Sequence, residues 1–273
     1  MPLSAFVRVL GAAVLHAAWN VLLARSADVA AATTVALGLS VVLFAPLAVA
    51  TWDVGVGALP WIAMSALLEI AYFALLTTAY SRSDVSLVYP VARGSAPVLV
   101  LAGAAVVGVT VGWVQALGVV LVGGGILFVR GLSGETDARG VILALAIGAA
   151  IAGYTLVDKE GVEHASVISY FELVLAPVAL VALGWHVATR RVQRVRAEIG
   201  WPTLGASVFA FTAYALVLAA LTLAPAPAVA AVRETSVLFA VVLGAAVLRE
   251  PVGASRIAGT VLVVVGVALV ALG

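Results

Sequence analysis

Ten apolar runs, each close to the length of a membrane span, follow one another with little between them: residues 3–24, 29–51, 57–80, 85–108, 111–130, 138–158, 166–188, 201–222, 227–248 and 252–272. A helix needs about 20 mostly apolar residues to cross a bilayer, so each run predicts one span. In lipid the backbone must satisfy its own hydrogen bonds, which leaves helices or closed barrels. Barrel strands alternate apolar and polar side chains, and these runs do not. The predicted fold class is therefore all-α, a polytopic membrane protein with ten transmembrane helices. The first run begins Met1-Pro2-Leu3-Ser4 and stays apolar through Leu23. That outlasts the apolar core of a signal peptide, and no cleavage site follows, so it reads as a span.

Composition removes most other classes. The chain is 64% hydrophobic and 10% charged, against roughly 45–50% and 25% in soluble domains. A soluble enzyme and a disordered chain are both excluded. A net charge of +1 gives no basic patch, so no nucleic-acid partner is expected. The absence of cysteine rules out disulfides, thiolate metal sites and a cysteine nucleophile. His16, His164 and His186 lack metal-ligand spacing, so no metal is expected. Gly123-Gly124-Gly125 has no following Lys-Ser/Thr. It is not a phosphate loop, and close helix packing is the reading taken. No Ser-His-Asp or paired-carboxylate arrangement reads as a hydrolase. The chain is expected to be no enzyme, with no catalytic residue and no cofactor.

The two halves look related. Arg93, in Tyr89-Pro90-Val91-Ala92-Arg93-Gly94-Ser95, and Arg233, in Ala230-Ala231-Val232-Arg233-Glu234-Thr235-Ser236, are 140 positions apart. Gly118 and Gly125 precede Gly259 and Gly266 by 141. Segment 130–137 is the most linker-like stretch. This predicts a first five-helix repeat at 1–131, a linker at 132–137 and a second repeat at 138–273. Five is odd, so the second repeat enters the membrane from the opposite side. That inverted-topology plan is common among transporters. Ten of the fourteen Lys and Arg lie in the odd-numbered loops and two, Arg8 and Lys159, on the other side. The cationic bias places the odd loops in the cytoplasm and both termini outside. Arg190, Arg191, Arg194 and Arg196 read as a cytoplasmic anchor beside anionic headgroups.

Five charges fall well inside spans: Glu69, Arg93, Glu172, Arg233 and Glu234. Each costs at least about 2.5–3.5 kcal/mol on insertion scales, so such groups face the interior and pair or bind something. Counted by depth, Glu69 suits Arg93, and Glu172 suits Arg233. Structural ion pairs and a working site are equally good readings of these pairs. In a working site, the arginines grip carboxylate or phosphate, and Glu69, the most central, is the preferred carrier of a coupling proton. His16, Trp19, Asn20, Tyr72, Tyr89 and Tyr154 complete the candidate substrate and ion pathway. Pro90 and Pro97, inside one span, are hinge candidates. Pro225 and Pro227 read as helix starts. Asp158 is a gate candidate, although a solvated helix end is the stronger reading of its position.

Several stretches carry a resemblance. They are His16-Ala17-Ala18-Trp19-Asn20, Leu87-Val88-Tyr89-Pro90-Val91-Ala92-Arg93-Gly94, Tyr154-Thr155-Leu156-Val157-Asp158 and Arg233-Glu234-Thr235-Ser236-Val237-Leu238-Phe239. With the ending Val247-Leu248-Arg249-Glu250-Pro251 and a last span punctuated by Gly259 and Gly266, they resemble the EamA family of the drug/metabolite transporter superfamily, over the whole chain. Two features depart from its pattern. The Gly-Glu pair usual after the fourth span is replaced by Val107-Gly108-Val109-Thr110, and the charge bias puts the termini outside. The resemblance implies transport of small metabolites, amino acids or drugs, often as efflux, by secondary coupling. With the inverted repeat and the buried charges, the expected function is secondary active efflux or exchange of a small polar or zwitterionic metabolite by alternating access, with a proton as the candidate coupling ion. The alternative is a flippase for a phosphate-bearing lipid carrier. The expected setting is the bacterial inner (plasma) membrane, with the lipid bilayer and a small-molecule substrate as partners, as a monomer or homodimer.

Overall fold

The computed structural model describes residues 1–82, 85–130, 138–239 and 254–273. The expected linker at 132–137, the turn at Ser83-Asp84, the end of the ninth apolar run and the Val247–Pro251 motif lie outside the described residues. The helices are α1 (Leu3–Leu23), α2 (Val29–Ala50), α3 (Leu59–Arg82), α4 (Val85–Val106), α5 (Trp113–Arg130), α6 (Ala138–Gly161), α7 (Val167–Ala188), α8 (Val192–Ala197), α9 (Trp201–Leu221), α10 (Ala226–Arg233) and α11 (Ala254–Leu272). Among the described residues there is no named strand, and seven helices are long and apolar enough to cross a membrane. The runs of the sequence become helices because lipid offers the backbone no partner but itself. Their ends follow polar or proline signals. Asp28 caps α2 by accepting from the Ala31 N–H at 3.1 Å. Pro225 and Pro227 start α10, as the sequence predicts.

Both termini lie at one end of the bundle, where the Met1 amino group reaches the Ala271 carbonyl at 3.3 Å. At this terminal end the α2–α3 and α6–α7 loops clasp each other. The Gly55 N–H donates to His164 O at 3.0 Å, the Ser166 N–H to Asp53 O at 2.7 Å, and the Ser166 hydroxyl to Thr51 O at 2.8 Å. At the opposite end the contact is made by side chains. Arg194 pairs with Asp28 at 3.2 Å, and the Asp28 N–H donates to Glu198 Oε1 at 2.8 Å.

Packing assembles these helices in pairs. α1 packs on α9, α3 on α6, α2 on α7, α4 on both α5 and α6, and α5 on α11. α10 sits among α1, α4, α5 and α11. Glycines set the closest approaches. A Cβ on Gly123 would stand 2.5 Å from the Gly94 carbonyl oxygen, and one on Gly125 would stand 2.8 Å from that of Gly259. The triple-glycine stretch is thus a packing surface, as read from the sequence.

The Asp28 cap carries a modest prediction. Its bond from the Ala31 N–H, and then the Arg194 guanidinium, hold the Asp28 carboxyl below the usual carboxylate range. A value depressed on folding adds stability above the unfolded value, and that stability is lost as pH falls through the folded value. Asp28→Ala should cost about 1 kcal/mol at neutral pH, and the difference from wild type should shrink on acidification below about pH 4. Thermal unfolding in detergent across that range measures it. A penalty that grows on acidification would refute this account.

Candidate functional site

The charged site forms where α10 ends. After Arg233 the chain leaves the α-helical pattern. The N–H groups of Glu234, Thr235, Val237 and Leu238 bond three residues back, to Ala231, Val232, Glu234 and Thr235, at 2.9–3.2 Å. This tighter turn advances successive side chains by about 120° instead of 100°. It brings Glu234 inward beside its neighbour. Glu234 is fully buried, and Arg233 is 5% exposed. Arg93, from the middle of α4, places Nη1 3.3 Å from Glu234 Oε1, and Arg233 Nε stands 3.7 Å from the same oxygen. One carboxylate oxygen thus serves two guanidinium groups.

α1 closes another side of the cluster. His16 Nε2 is 2.7 Å from Arg93 Nη2, and Trp19 Nε1 approaches His16 Nδ1 at 3.3 Å. Arginine and indole N–H groups only donate. A neutral imidazole accepts at one nitrogen, so two donors compete for one lone pair. Asn20 spends its amide on the His16 carbonyl at 2.7 Å. The Arg93 guanidinium lies over the Tyr89 ring, with Cζ 5.6 Å from the centroid, a cation–π contact. Tyr72, Tyr154 and Tyr214 continue the wall, with successive ring centroids 6.1 Å apart. A small cavity lies between Tyr72, Leu76, Val88, Tyr89, Arg93 and Ile147.

The cluster is not self-satisfied. Arg233 Nε and Nη2 and Glu234 Oε2 are buried without a hydrogen-bond partner. A buried donor or acceptor left unmade costs on the order of 1–3 kcal/mol, more when charged. The site therefore offers a free guanidinium face and a free carboxylate oxygen on adjacent residues. Among the described residues, no group of three or more His, Cys, Asp or Glu is arranged to hold a metal ion.

Three sequence expectations need correction. Glu69 is 7% exposed and within electrostatic reach of Arg233, but Arg93 pairs with Glu234 instead of with Glu69. Glu172 does not pair with Arg233. It is 8% exposed on α7, and its Oε2 lacks a hydrogen-bond partner. Depth along a span can be counted from sequence, whereas the direction a side chain faces depends on packing and on the tight turn at Glu234. The third correction concerns Asp158, which is no solvated helix end. It is fully buried and accepts from Ser65 at 2.5 Å and Tyr170 at 2.9 Å on Oδ1, and from Tyr214 at 2.5 Å on Oδ2. Sequence reading missed these three hydroxyls. The available signal was that Asp158 falls four residues after Tyr154, on the same helix face, while Lys159 pairs outward with Glu163 at 2.9 Å. α4 runs through Pro90 and Pro97 as one helix. Pro97 has no N–H to offer the carbonyl of Arg93, four residues back.

Comparison with known proteins adds the following. Residues 138–272 match the model of the EamA-like transporter family. A protein of known crystal structure, 14% identical, superimposes with a TM-score of 0.76 over 100% of this chain and 98% of the other. At that identity the likeness is one of fold. No curated protein matches the chain.

Proposed function

Through residues 138–272 the chain belongs to the EamA-like transporter family, part of the drug/metabolite transporter superfamily, and from that premise we propose that this multi-pass membrane transporter is a secondary carrier of a small zwitterion. It exports or exchanges its substrate by alternating access, with a proton as coupling ion. The observation that carries the reading is the set of buried Arg233 and Glu234 atoms that have no hydrogen-bond partner in the charged cluster. Arg233 Nε and Nη2 suit a substrate carboxylate, and Glu234 Oε2, one residue on, suits an ammonium group. His16, Trp19, Asn20, Tyr72, Tyr89 and Tyr154 line the approach, with Pro90 and Pro97 as hinges. Glu69, buried near the cluster without a hydrogen bond or ion pair among the described residues, carries the proton. Glu172 is a further carboxyl on the pathway.

The proposed architecture is ten spans in two inverted repeats, 1–131 and 138–273, joined by a linker at 132–137. The pairing of helices supports it. Exchange of α1, α2, α3, α4 and α5 with α6, α7, α9, α10 and α11 turns the α1–α9 contact into α6–α3, α2–α9 into α7–α3, and α4–α6 into α10–α1. The α2–α7, α4–α10 and α5–α11 contacts map onto themselves. The glycine crossings obey the same exchange, since Gly118 meets Gly266 and Gly125 meets Gly259. In this plan the site lies near the bilayer midplane between the repeats. The Lys/Arg bias supports an inner-membrane orientation with both termini outside.

The test is a pH jump on the purified protein in liposomes holding a trapped pH dye, with amino acids, organic anions and amines as trial solutes. Wild type should show proton movement that depends on a zwitterionic amino acid. Arg93→Ala should abolish binding of that solute, and Glu69→Gln should abolish proton movement while the protein remains folded. A solute that moves unchanged through Glu69→Gln would remove Glu69 from coupling. Translocation of an isoprenoid phosphate in the same vesicles, with every soluble solute inert, would favour the flippase.

A further inference from the structure

We propose that Asp158 and Tyr214 form the gate that closes the pathway at the terminal end of the bundle, and that uptake of one proton by the Asp158 carboxyl opens it. The proposal rests on the transport reading above but adds a second ionisable group, with a task separate from that of Glu69.

The geometry sets the roles of the three hydroxyls apart. Asp158 is in the last turn of α6, Ser65 near the start of α3 and Tyr170 near the start of α7. α3 packs on α6 and on α7, so Ser65 and Tyr170 hold Asp158 from two helices that also touch each other. Tyr214 comes from α9, which packs chiefly on α1 and α2. Its bond to Oδ2 therefore ties α6 to a helix with which α6 shares few other contacts. Beneath it lies the charged cluster. Ser65 and Glu69 are one turn apart on α3, and Asp158 and Tyr154 are one turn apart on α6, so gate and site share two helix faces.

The charge chemistry follows from the number of acceptors. An ionised carboxylate only accepts, and here it receives three O–H donors. Protonation forms one O–H bond. Oδ2, with a single donor, is the oxygen that can take the proton without displacing both Ser65 and Tyr170. Oδ2 then presents a hydrogen to the Tyr214 hydroxyl, and the charge-assisted bond that crosses the pathway is lost. Ser65 and Tyr170 stay on Oδ1. Reclosure returns the proton, and no other atom or electron is transferred. The titratable and charged groups around Asp158 are Glu69 on α3, Tyr154 on α6, Tyr170 on α7, Tyr214 on α9 and Arg233 on α10. Arg233 is the cation among them. A carboxylate-bearing substrate that occupies Arg233 therefore weakens the cationic support for ionised Asp158, which links site occupancy to the gate.

The chain has no cysteine, so a single Leu76→Cys, in the small cavity on the far side of the charged cluster from the gate, reports access. A membrane-impermeant maleimide is applied from the terminal end in proteoliposomes. Labelling should be slow at neutral pH and accelerate as that side is acidified. Tyr214→Phe, which keeps the ring, should label about tenfold faster at neutral pH, as expected for loss of one hydrogen bond to a charged acceptor. Asp158→Asn should label at a rate independent of pH. Ser65→Ala, which leaves the crossing bond, should stay slow and pH-dependent, and it guards against a general loss of packing. Unchanged labelling in Tyr214→Phe, or pH dependence that survives in Asp158→Asn, would overturn the gate. The readout needs no substrate. A gate that responds as described while no solute moves would uphold this inference and sink the transport reading instead.

Discussion

Glu234→Gln should destabilise the protein by about 3–5 kcal/mol, the usual consequence of removing one partner of a buried ion pair. Glu234 has no exposed surface and lies against both Arg93, at 3.3 Å, and Arg233, at 3.7 Å. Glutamine keeps the shape and an accepting oxygen but removes the negative charge. Two guanidinium groups, 9% and 5% exposed, would then face each other with no negative charge between them. The loss should be reversed only in part by Arg93→Met in the same chain, because that removes one buried guanidinium and leaves Arg233 without its counter-charge. Thermal unfolding in detergent, run as a double-mutant cycle, gives the coupling directly. A carboxylate-bearing solute that fills the site should also raise the midpoint of Glu234→Gln more than that of wild type, since it returns the missing anion. A penalty below about 1 kcal/mol would place the pair among ordinary exposed ion pairs and remove the basis for the proposed site.

The same cluster shows what could be read from the sequence. That Arg93 and Arg233 belong together was legible, because the two occupy matching positions 140 residues apart and neither tolerates lipid. The positions of the seven described helices long enough to cross a membrane were also legible, to within a few residues, because hydropathy and bilayer thickness fix them. Glu234 was legible as a charge inside a span but not as the shared partner. Its direction depends on the tight turn after Arg233, which breaks the 100° helical wheel on which facing residues are counted. Asp158 was misread for a related reason. Hydropathy falls at Asp158-Lys159-Glu160 whichever way each side chain points, and only the packing of α3, α7 and α9 shows that the first turns inward. The clasp between Asp53–Gly55 and His164–Ser166 was invisible because it joins backbones more than a hundred residues apart, without any side-chain pattern.

Alanine placed in turn at Gly123, Gly124 and Gly125 should give effects of alternating sign. At Gly123 the new methyl would stand 2.5 Å from the Gly94 carbonyl oxygen. At Gly125 it would stand 2.8 Å from the Gly259 oxygen and 2.9 Å from the Val263 nitrogen. Neighbours of this kind are backbone and cannot rotate aside, so α4 or α11 must move away from α5. Overpacking of a tight contact costs about 1–3 kcal/mol, which exceeds the roughly 1 kcal/mol that alanine gains over glycine within a helix. Gly124 has nothing within 4 Å of a built Cβ. There alanine keeps the propensity gain, and the protein should become more stable by about 0.5–1 kcal/mol. Gly118 and Gly266 extend the argument, because each would push its Cβ to 2.6 Å from the other's carbonyl oxygen. Either alanine alone should force α5 and α11 apart, so the second should cost less once the first is present, and the double substitution should fall short of the sum. Between membrane helices this close approach is itself a driving force, since lipid offers no hydrophobic alternative to tight van der Waals contact. Thermal midpoints of the five single variants and the one double decide the matter. Equal effects at 123, 124 and 125 would mean that the glycines act through helix propensity alone and that the crossing of α5 with α4 and α11 is looser than described.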